Sequence, residues 1–478
     1  MKLGKWQIAV AGMAVFAGGA AALGVALRHH LYLGPSLPDT DFLAEWRELG
    51  AKSWGVDTPG SWKPVAALVA MKQNAEDKAA TAVPRPSDVR RREAAIPVYD
   101  PEMNRGWDYW RPYDPGNPDD LAAWRWHRTM GDLAAEELRA SGFIERIIDL
   151  PNSVPVLEGM IPVDVNVRGP VYSSFSGLSP IARYLRLAMR LASEEQDAEA
   201  FRAAGMALAT LSRVSGAQPL VICWLHEIAF EAMLLGELLH VVNNGASMAM
   251  AQAALDTLNV HRVAEIDRVM RGALLSYALT YPDPQGNSVL AYKHAAANHA
   301  AATVVYDAIA QAVSLDPIKG VAHVHDTALA LASGPLRGTM FARELRDAFE
   351  TFGYVLETQL VQIAHRAKAE RIALRTALAL ETFRIRTGRF PGELDELVGR
   401  ELRATPIDPF TGAVLGYRVG DNPEVPAIQG GCRLWLAGRD GVDNGGTVPT
   451  GEFVNAFQDS GAASDHVILG TDAFFVGE

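Results

Sequence analysis

The sequence predicts a mainly α fold with a minor β part (α+β). It comprises an N-terminal transmembrane helix, an antiparallel helical bundle or α-solenoid body, and a small C-terminal antiparallel β-sheet packed on a long helix. Three observations predict it. Near its N-terminus the chain carries a long run without a polar or charged side chain. From about residue 119 to 390, apolar residues recur at helical spacing between short connections. After Gly388 that stripe gives way to Gly, Pro, Asp and alternating apolar residues.

Composition sets the frame. At 478 residues, 49% hydrophobic and 21% charged, the chain can bury a sizeable core and is not a disordered polymer. A mean hydropathy of +0.03 excludes a polytopic membrane protein. A net charge of −12 with no basic block argues against nucleic acid as a partner. Two cysteines, Cys223 and Cys432, are too few for a disulfide framework or a cysteine-rich metal site.

Residues 1–30 are the expected anchor. Ile8–Leu27 is a run of 20 apolar residues. As a helix at about 1.5 Å per residue it spans about 30 Å, the hydrocarbon thickness of a bilayer. Lys2, Lys5 and the terminal amine precede the run, and Arg28 follows it. That balance favours an inner-membrane, single-pass topology with the bulk of the chain extracytoplasmic. The alternative is a signal segment cleaved near Gly18–Ala22, which releases a secreted protein.

Residues 31–120 read as an irregular Trp- and Pro-rich strap with short helices. Asp39–Asp41 cap a helix carrying Phe42, Leu43, Trp46 and Leu49, and a second helix runs from Lys63 to about Gln73. Seven of the ten tryptophans (46, 54, 62, 107, 110, 124, 126) lie between residues 46 and 126. Such rings either stack sugars or peptides, or staple the strap to the body; the large area each removes from water favours stapling.

Residues 121–338 are the all-α body. Helices are expected at about 119–140, from Ser179 through Leu191, and at 198–214, 219–242, 247–258, 261–280, 287–315 and 322–333. Pro180 stands at a first helical position, where its missing N–H costs nothing. Residues 339–478 combine a long helix, Thr339 to Thr387, with strands at Val414–Val419, Arg433–Ala437, and near Val467–Leu469 and Phe474–Val476. From Asp421 to Glu478, nine acidic and two basic residues give −7 of the net −12.

The run Ala377–Pro391, with Thr387-Gly388-Arg389-Phe390-Pro391 at its end, is followed by Leu394, Leu397, Asp408-Pro409-Phe410-Thr411-Gly412, Tyr417 and Gly438–Gly446. Over about residues 355–446 this series resembles the major pseudopilins of type II secretion. The resemblance implies a long helix, a three-stranded sheet and a loop that binds calcium. The N-terminus lacks the glycine–phenylalanine processing site and the glutamate five residues on that such pilins use for cleavage and assembly. The whole layout is similar to a group of membrane-anchored bacterial envelope proteins that pair a helical body with this ending, a resemblance that brings no activity with it.

Asp440, Asp443 and Asn444 are the candidate metal ligands. Three short oxygen-bearing side chains within five residues, interleaved with Gly441, Gly445 and Gly446, can fold around a Ca2+ ion, which takes 6–8 oxygens. The same residues suit a glycine-rich turn whose Asp and Asn cap their own backbone. On the apolar helix near 219–242, His226, Glu227, Glu231, Glu237 and His240 share faces in pairs and read as polar residues at helix edges. Phe230 breaks a zinc-protease H-E-x-x-H, and the pairs His294/His299 and His323/His325 lack metal-triad spacing. Ser173, Ser174 and Ser176 lack a nucleophile elbow.

With no catalytic motif assembled, the expectation is a membrane-anchored, non-enzymatic protein that binds protein partners in the cell envelope. One alternative is an accessory component of a type II secretion or pilus-like system. Another is an envelope hydrolase or glycan-binding protein that uses the tryptophans and the histidine-bearing helices.

Overall fold

The structure is a computed structural model. It describes residues 44–45, 48, 63–83, 118–150, 177–216, 221–243, 247–260, 266–280, 289–315, 317–339, 341–343, 345–347, 356–420, 432–437, 442–443, 445–446 and 466–469. The run Ile8–Leu27, most of the tryptophan-rich strap and the expected strand at Phe474–Val476 lie outside these residues. No helix among the described residues is long and apolar enough to cross a membrane.

The chain is mainly α with a small antiparallel sheet. In chain order the helices are α1 (Lys63–Ala82), α2 (Pro118–Ala140), α3 (Phe143–Ile148), α4 (Leu178–Glu194), α5 (Ala198–Gly216) and α6 (Val221–Asn243). They are followed by α7 (Met248–Val260), α8 (Ile266–Thr280), α9 (Val289–Ala312), α10 (Pro317–Ser333) and α11 (Leu356–Thr387). Strands β1 (Gly416–Val419), β2 (Cys432–Leu436) and β3 (His466–Leu469) close the order.

Consecutive helices pack as neighbours, α4 on α5, α5 on α6, α8 on α9 and α9 on α10, as short connections dictate. At the centre lies α5, touching α3, α4, α6 and α7. Its sequence explains the position. Ala204, Gly205, Ala207 and Ala209 leave little bulk on the helix, and Phe201, Leu208 and Leu211 fill the gaps between neighbours. At Gly205 the approach is so close that a Cβ would stand 2.9 Å from Thr257 Cγ2 on α7.

Two apolar cores result. The larger joins α1–α7 to the second half of α11 through residues such as Phe143, Leu185, Phe201, Leu238, Leu374 and Leu378. It continues into the C-terminal module through Leu397, Leu415, Leu434 and Leu436. The smaller joins Trp224 on α6 to α8, α9, α10 and Val361 near the start of α11. The long helix therefore crosses both cores, and the sheet grows from the end that lies in the larger one.

Three expectations change. Helix α1 does not stop near Gln73 but runs to Ala82, through a segment read as strap. Lys72–Glu76 and Gln73–Asp77 pair four residues apart, and Ala75 and Ala79 are buried between them. The short helix α3 was not expected; it follows the left-handed Gly142 (φ 66) that ends α2. Helix α10 begins five residues earlier than expected, at Pro317, again a proline in the first turn. Of the tryptophans, Trp126 is buried and its Nε1 donates to the Val83 carbonyl at 3.2 Å, a staple between α2 and the end of α1.

The sheet has the order β1-β2-β3, all antiparallel. Its middle strand is buried along its whole length. Cys432, Leu434 and Leu436 face the core formed with α11, and Arg433 and Trp435 alternate to the other face. Opposite Trp435 in the register stands Gly416, and a Cβ there would lie 2.1 Å from the indole Cε2. The glycine leaves room for the ring to lie across β1.

Candidate functional site

The most heavily charged part of the interior lies along α6. Its mean composition is so apolar that no one face stands out, yet Glu227, Glu231 and Glu237 are each at most 2% exposed. They are therefore not helix-edge residues, as their spacing had suggested. A buried carboxylate needs a partner, since desolvating an ion costs several kcal/mol. Neighbouring helices supply the arginines. Arg186 and Arg190, one turn apart on α4, both donate to Glu237, at 2.7 Å from each Nε and 3.1 Å from Arg190 Nη2. Arg371 on α11 donates to Glu231 Oε1 at 2.7 Å.

Glu227 sits against the end of α5. Its carboxylate fills the place a side chain on Gly216 would take, since a Cβ there would be 2.0 Å from Oε2. Ser212 Oγ donates to the Glu227 carbonyl at 2.9 Å, and Arg268 on α8 donates to the Gly216 carbonyl at 2.5 Å. Beside them, burial pushes the Cys223 thiol far up, and the negative field of Glu227 adds to it. On α11, burial raises Glu370; the Arg366 guanidinium, bonded at 2.7 Å, lowers it, and the charge of Glu231 raises it further. Helix α6 is thus tied by charge to α4 and α11, and by hydrogen bonding to α5.

His226 lies one residue from Glu227 but turns its Nδ1 to the Ile222 carbonyl at 2.9 Å, and its ring meets Phe230 edge-on at 6.1 Å. Phe230, the residue that breaks the zinc-protease pattern, is therefore its packing partner. His299 on α9 is buried and held below the usual imidazole range, first by burial and then by the charge of Arg271. His325 approaches Asp326 at 3.5 Å on the surface of α10. The Ser173–Ser176 cluster lies outside the described residues, as does the His294 side chain. Among the described residues, no group of three His, Cys, Asp or Glu side chains is placed to hold a metal ion.

The second candidate region is the C-terminal module. Gly388 (φ 78) ends α11, its N–H bonded to the Arg384 carbonyl at 2.8 Å. Arg386 and Arg389 lie over the Phe383 ring at 5.0 and 5.4 Å. The Tyr417 hydroxyl on β1 reaches back to the Pro391 carbonyl at 2.8 Å, closing the turn onto the sheet.

Asp408 is the polar pivot of the module. It is buried, with Oδ1 accepting from the Phe410 N–H and Oδ2 from the Ala437 N–H, both at 2.7 Å. One carboxylate therefore joins the Asp408–Gly412 turn to the end of β2. Burial still lifts its carboxyl above the usual range; the amide bonds oppose that, and the nearby Asp443 reinforces it.

Of the three candidate metal ligands, Asp443 is described, whereas Asp440 and Asn444 lie outside the described residues. Asp443 Oδ1 accepts from Trp435 Nε1 and from the Gly445 N–H, both at 2.8 Å. The turn it caps folds over the outer face of the sheet. Gly445 and Gly446 take left-handed φ of 72 and 75, and a Cβ on Gly446 would be 2.9 Å from the Trp435 ring. One carboxylate oxygen is thus held by two N–H donors, one of them the backbone of its own glycine-rich turn.

Sequence reasoning missed Asp408 as a pivot and the arginine partners of Glu231 and Glu237. The pair Arg186/Arg190, four apart beside an apolar stripe, was the available signal. The fold and these two regions define a mainly helical protein with a small antiparallel sheet at its C-terminal end. No protein-family model matches the chain, and no curated protein or solved structure is significantly similar to it.

Proposed function

We propose that the protein is a membrane-tethered scaffold on the extracytoplasmic side of a bacterial inner membrane. On this reading Ile8–Leu27 is the tether, and the helical body presents binding surfaces to other envelope proteins. The observation that carries the reading is the use of charge inside the body: Glu231 and Glu237 are spent on arginines of α11 and α4. Buried pairs of this kind add little net stability, but they fix which faces of apolar helices meet. That is the property a rigid docking frame needs, and it commits those carboxylates to structure.

A second reading, an accessory role in a type II secretion or pilus-like system, is favoured by the ending. There α11, the Gly388 turn, the Asp408 turn and the three-stranded sheet follow one another in the order that the pseudopilin resemblance implies. Calcium at Asp440, Asp443 and Asn444 belongs to the same proposal, since extracytoplasmic calcium is available to such a loop. Capture of the full chain from native membranes after in-cell crosslinking tests the two readings. Secretion-machine subunits among the products select the second; other envelope proteins select the first; crosslinks to neither refute both. For the ion, an unfolding midpoint that is the same in calcium and in chelator removes it.

A further inference from the structure

We propose that the body opens along a seam of charge: α8–α10, with the first turns of α6 and of α11, unfold and refold as one unit while the larger core stays closed. The observation is where the charged side chains stand. Helices α6 and α11 run through both cores. On α6, Trp224, Leu225 and Ile228 pack in or on the smaller core, and Phe230 and Leu234 belong to the larger. Glu227 and Glu231 bracket that changeover, each at most 2% exposed. On α11, Val361, Ile363 and Ala364 lie on the smaller side, and Ala369 and Ala373 in the larger core. His365 and Arg366 stand between them, and Glu370 and Arg371 follow at once. The two changeovers meet, since Arg371 donates to Glu231 Oε1 at 2.7 Å, and the charges of Glu231 and Arg371 both act on Glu370. The seam continues to α8. There Arg268 donates to the Gly216 carbonyl, at the end of α5, at 2.5 Å, and its charge reaches Cys223 together with that of Glu227.

Opening inside a close-packed apolar core gives up burial and dispersion contacts with nothing in return. Along the seam the balance differs. Its ions lose mutual attraction when the two sides part, but they regain water, and for buried pairs those terms nearly cancel. The cost of opening the smaller lobe is therefore set by its own core, plus what Leu275 of α8 loses in the larger one. That cost is the lower of the two, because the smaller core is closed chiefly by α8–α10, whereas the larger takes in α1–α7, half of α11 and the sheet. Proteins open in contiguous cooperative units of this kind, with the least-buried unit first. One half of the body can then change shape while α4, α5 and the C-terminal sheet keep theirs.

Amide hydrogen exchange of the full chain in detergent micelles, read by mass spectrometry of its peptides in rising urea, tests this. Amides of α9 and α10 should share one opening constant, larger than that of α4 and α5 by about tenfold or more. Their opening should also depend less steeply on urea, since less surface is exposed. Arg371→Gln takes the counter-charge from buried Glu231, which gains water only when the smaller lobe opens. It should raise the α9–α10 constant by about tenfold or more. Glu231→Leu with Arg371→Met makes the seam apolar, and should lower that constant toward the value for α4 and α5. One shared constant for α4, α5, α9 and α10 in the parent chain overturns the inference, as does an apolar pair that leaves the gap between the two regions unchanged. Should Arg371→Gln fail to fold, the parent chain and the apolar pair decide without it.

Discussion

Replacing Glu237 by Gln removes the negative centre of the buried cluster that joins α4 to α6. The Glu237 side chain is fully buried, and its three bonds come from arginines that are 26% and 15% exposed. Gln keeps one acceptor oxygen but turns an NH2 group toward a guanidinium. Three charge-assisted bonds at about 1.5–3 kcal/mol each set an upper bound of about 9 kcal/mol. The arginines can partly rehydrate, which pulls the cost down to about 3 kcal/mol, the low end for breaking a buried pair. Urea unfolding of the detergent-solubilised full chain, followed by far-ultraviolet circular dichroism, measures it as a lower midpoint at unchanged slope. A second variant, Glu237→Leu with Arg186→Met and Arg190→Leu, puts apolar volume in the same space and should return to within about 1 kcal/mol of the parent. A loss below about 1 kcal/mol for Glu237→Gln, or a triple variant no better than the single, would show that the pair does not join α4 to α6 as described.

Other outcomes follow from the same geometry. Gly446→Ala combines a left-handed φ with a Cβ 2.9 Å from Trp435, whereas Gly412→Ala meets the same φ penalty in open space. The first should cost about 1–3 kcal/mol and more than the second; equal costs in thermal melts would place the loop off the sheet. The folded pKa of Glu370 lies above its ordinary 4.5, so its contribution to stability is fully present below pH 4.5 and lost as pH rises through the folded value. Glu370→Gln should flatten the fall in urea midpoint above pH 4.5, and an unchanged profile would contradict the burial. The Cys432 thiol is pushed up to about 12 and Cys223 higher, each chiefly by burial. Maleimide at pH 7.4 should label neither cysteine until the chain is unfolded; rapid labelling of either in the native chain would refute that.

The helical body was legible because its stripes have a clear period. On α4, Ile181, Leu185 and Leu187 of the expected stripe are buried, whereas Leu191 at its end is 40% exposed. The sheet was legible for a similar reason: β2 was expected one residue late, and Gly388 marked the turn that precedes it. What sequence could not show was the facing of α6. A helix apolar all round gives no sign of which side meets a neighbour, and its three glutamates looked like solvent-facing edges. The burial of Glu231 and Glu237 depends on arginines 140 residues away at position 371 and 51 and 47 away at 186 and 190. No local pattern encodes such pairs. The end of α1 was hidden in the opposite way. Glu76, Asp77 and Lys78 dominate the reading, while the small Ala75 and Ala79 make the packing. Asp408 was visible as part of a turn motif; its second oxygen, bonded to Ala437, was not.

The tether decides whether the account stands. Native cells are broken, their membranes washed in alkaline carbonate, and intact spheroplasts treated with protease. The full-length chain should stay in the washed membranes, leave them only with detergent, and lose its body to protease added from outside. Recovery in the cytosolic fraction, or a body that protease reaches only after the spheroplasts are lysed, would contradict it.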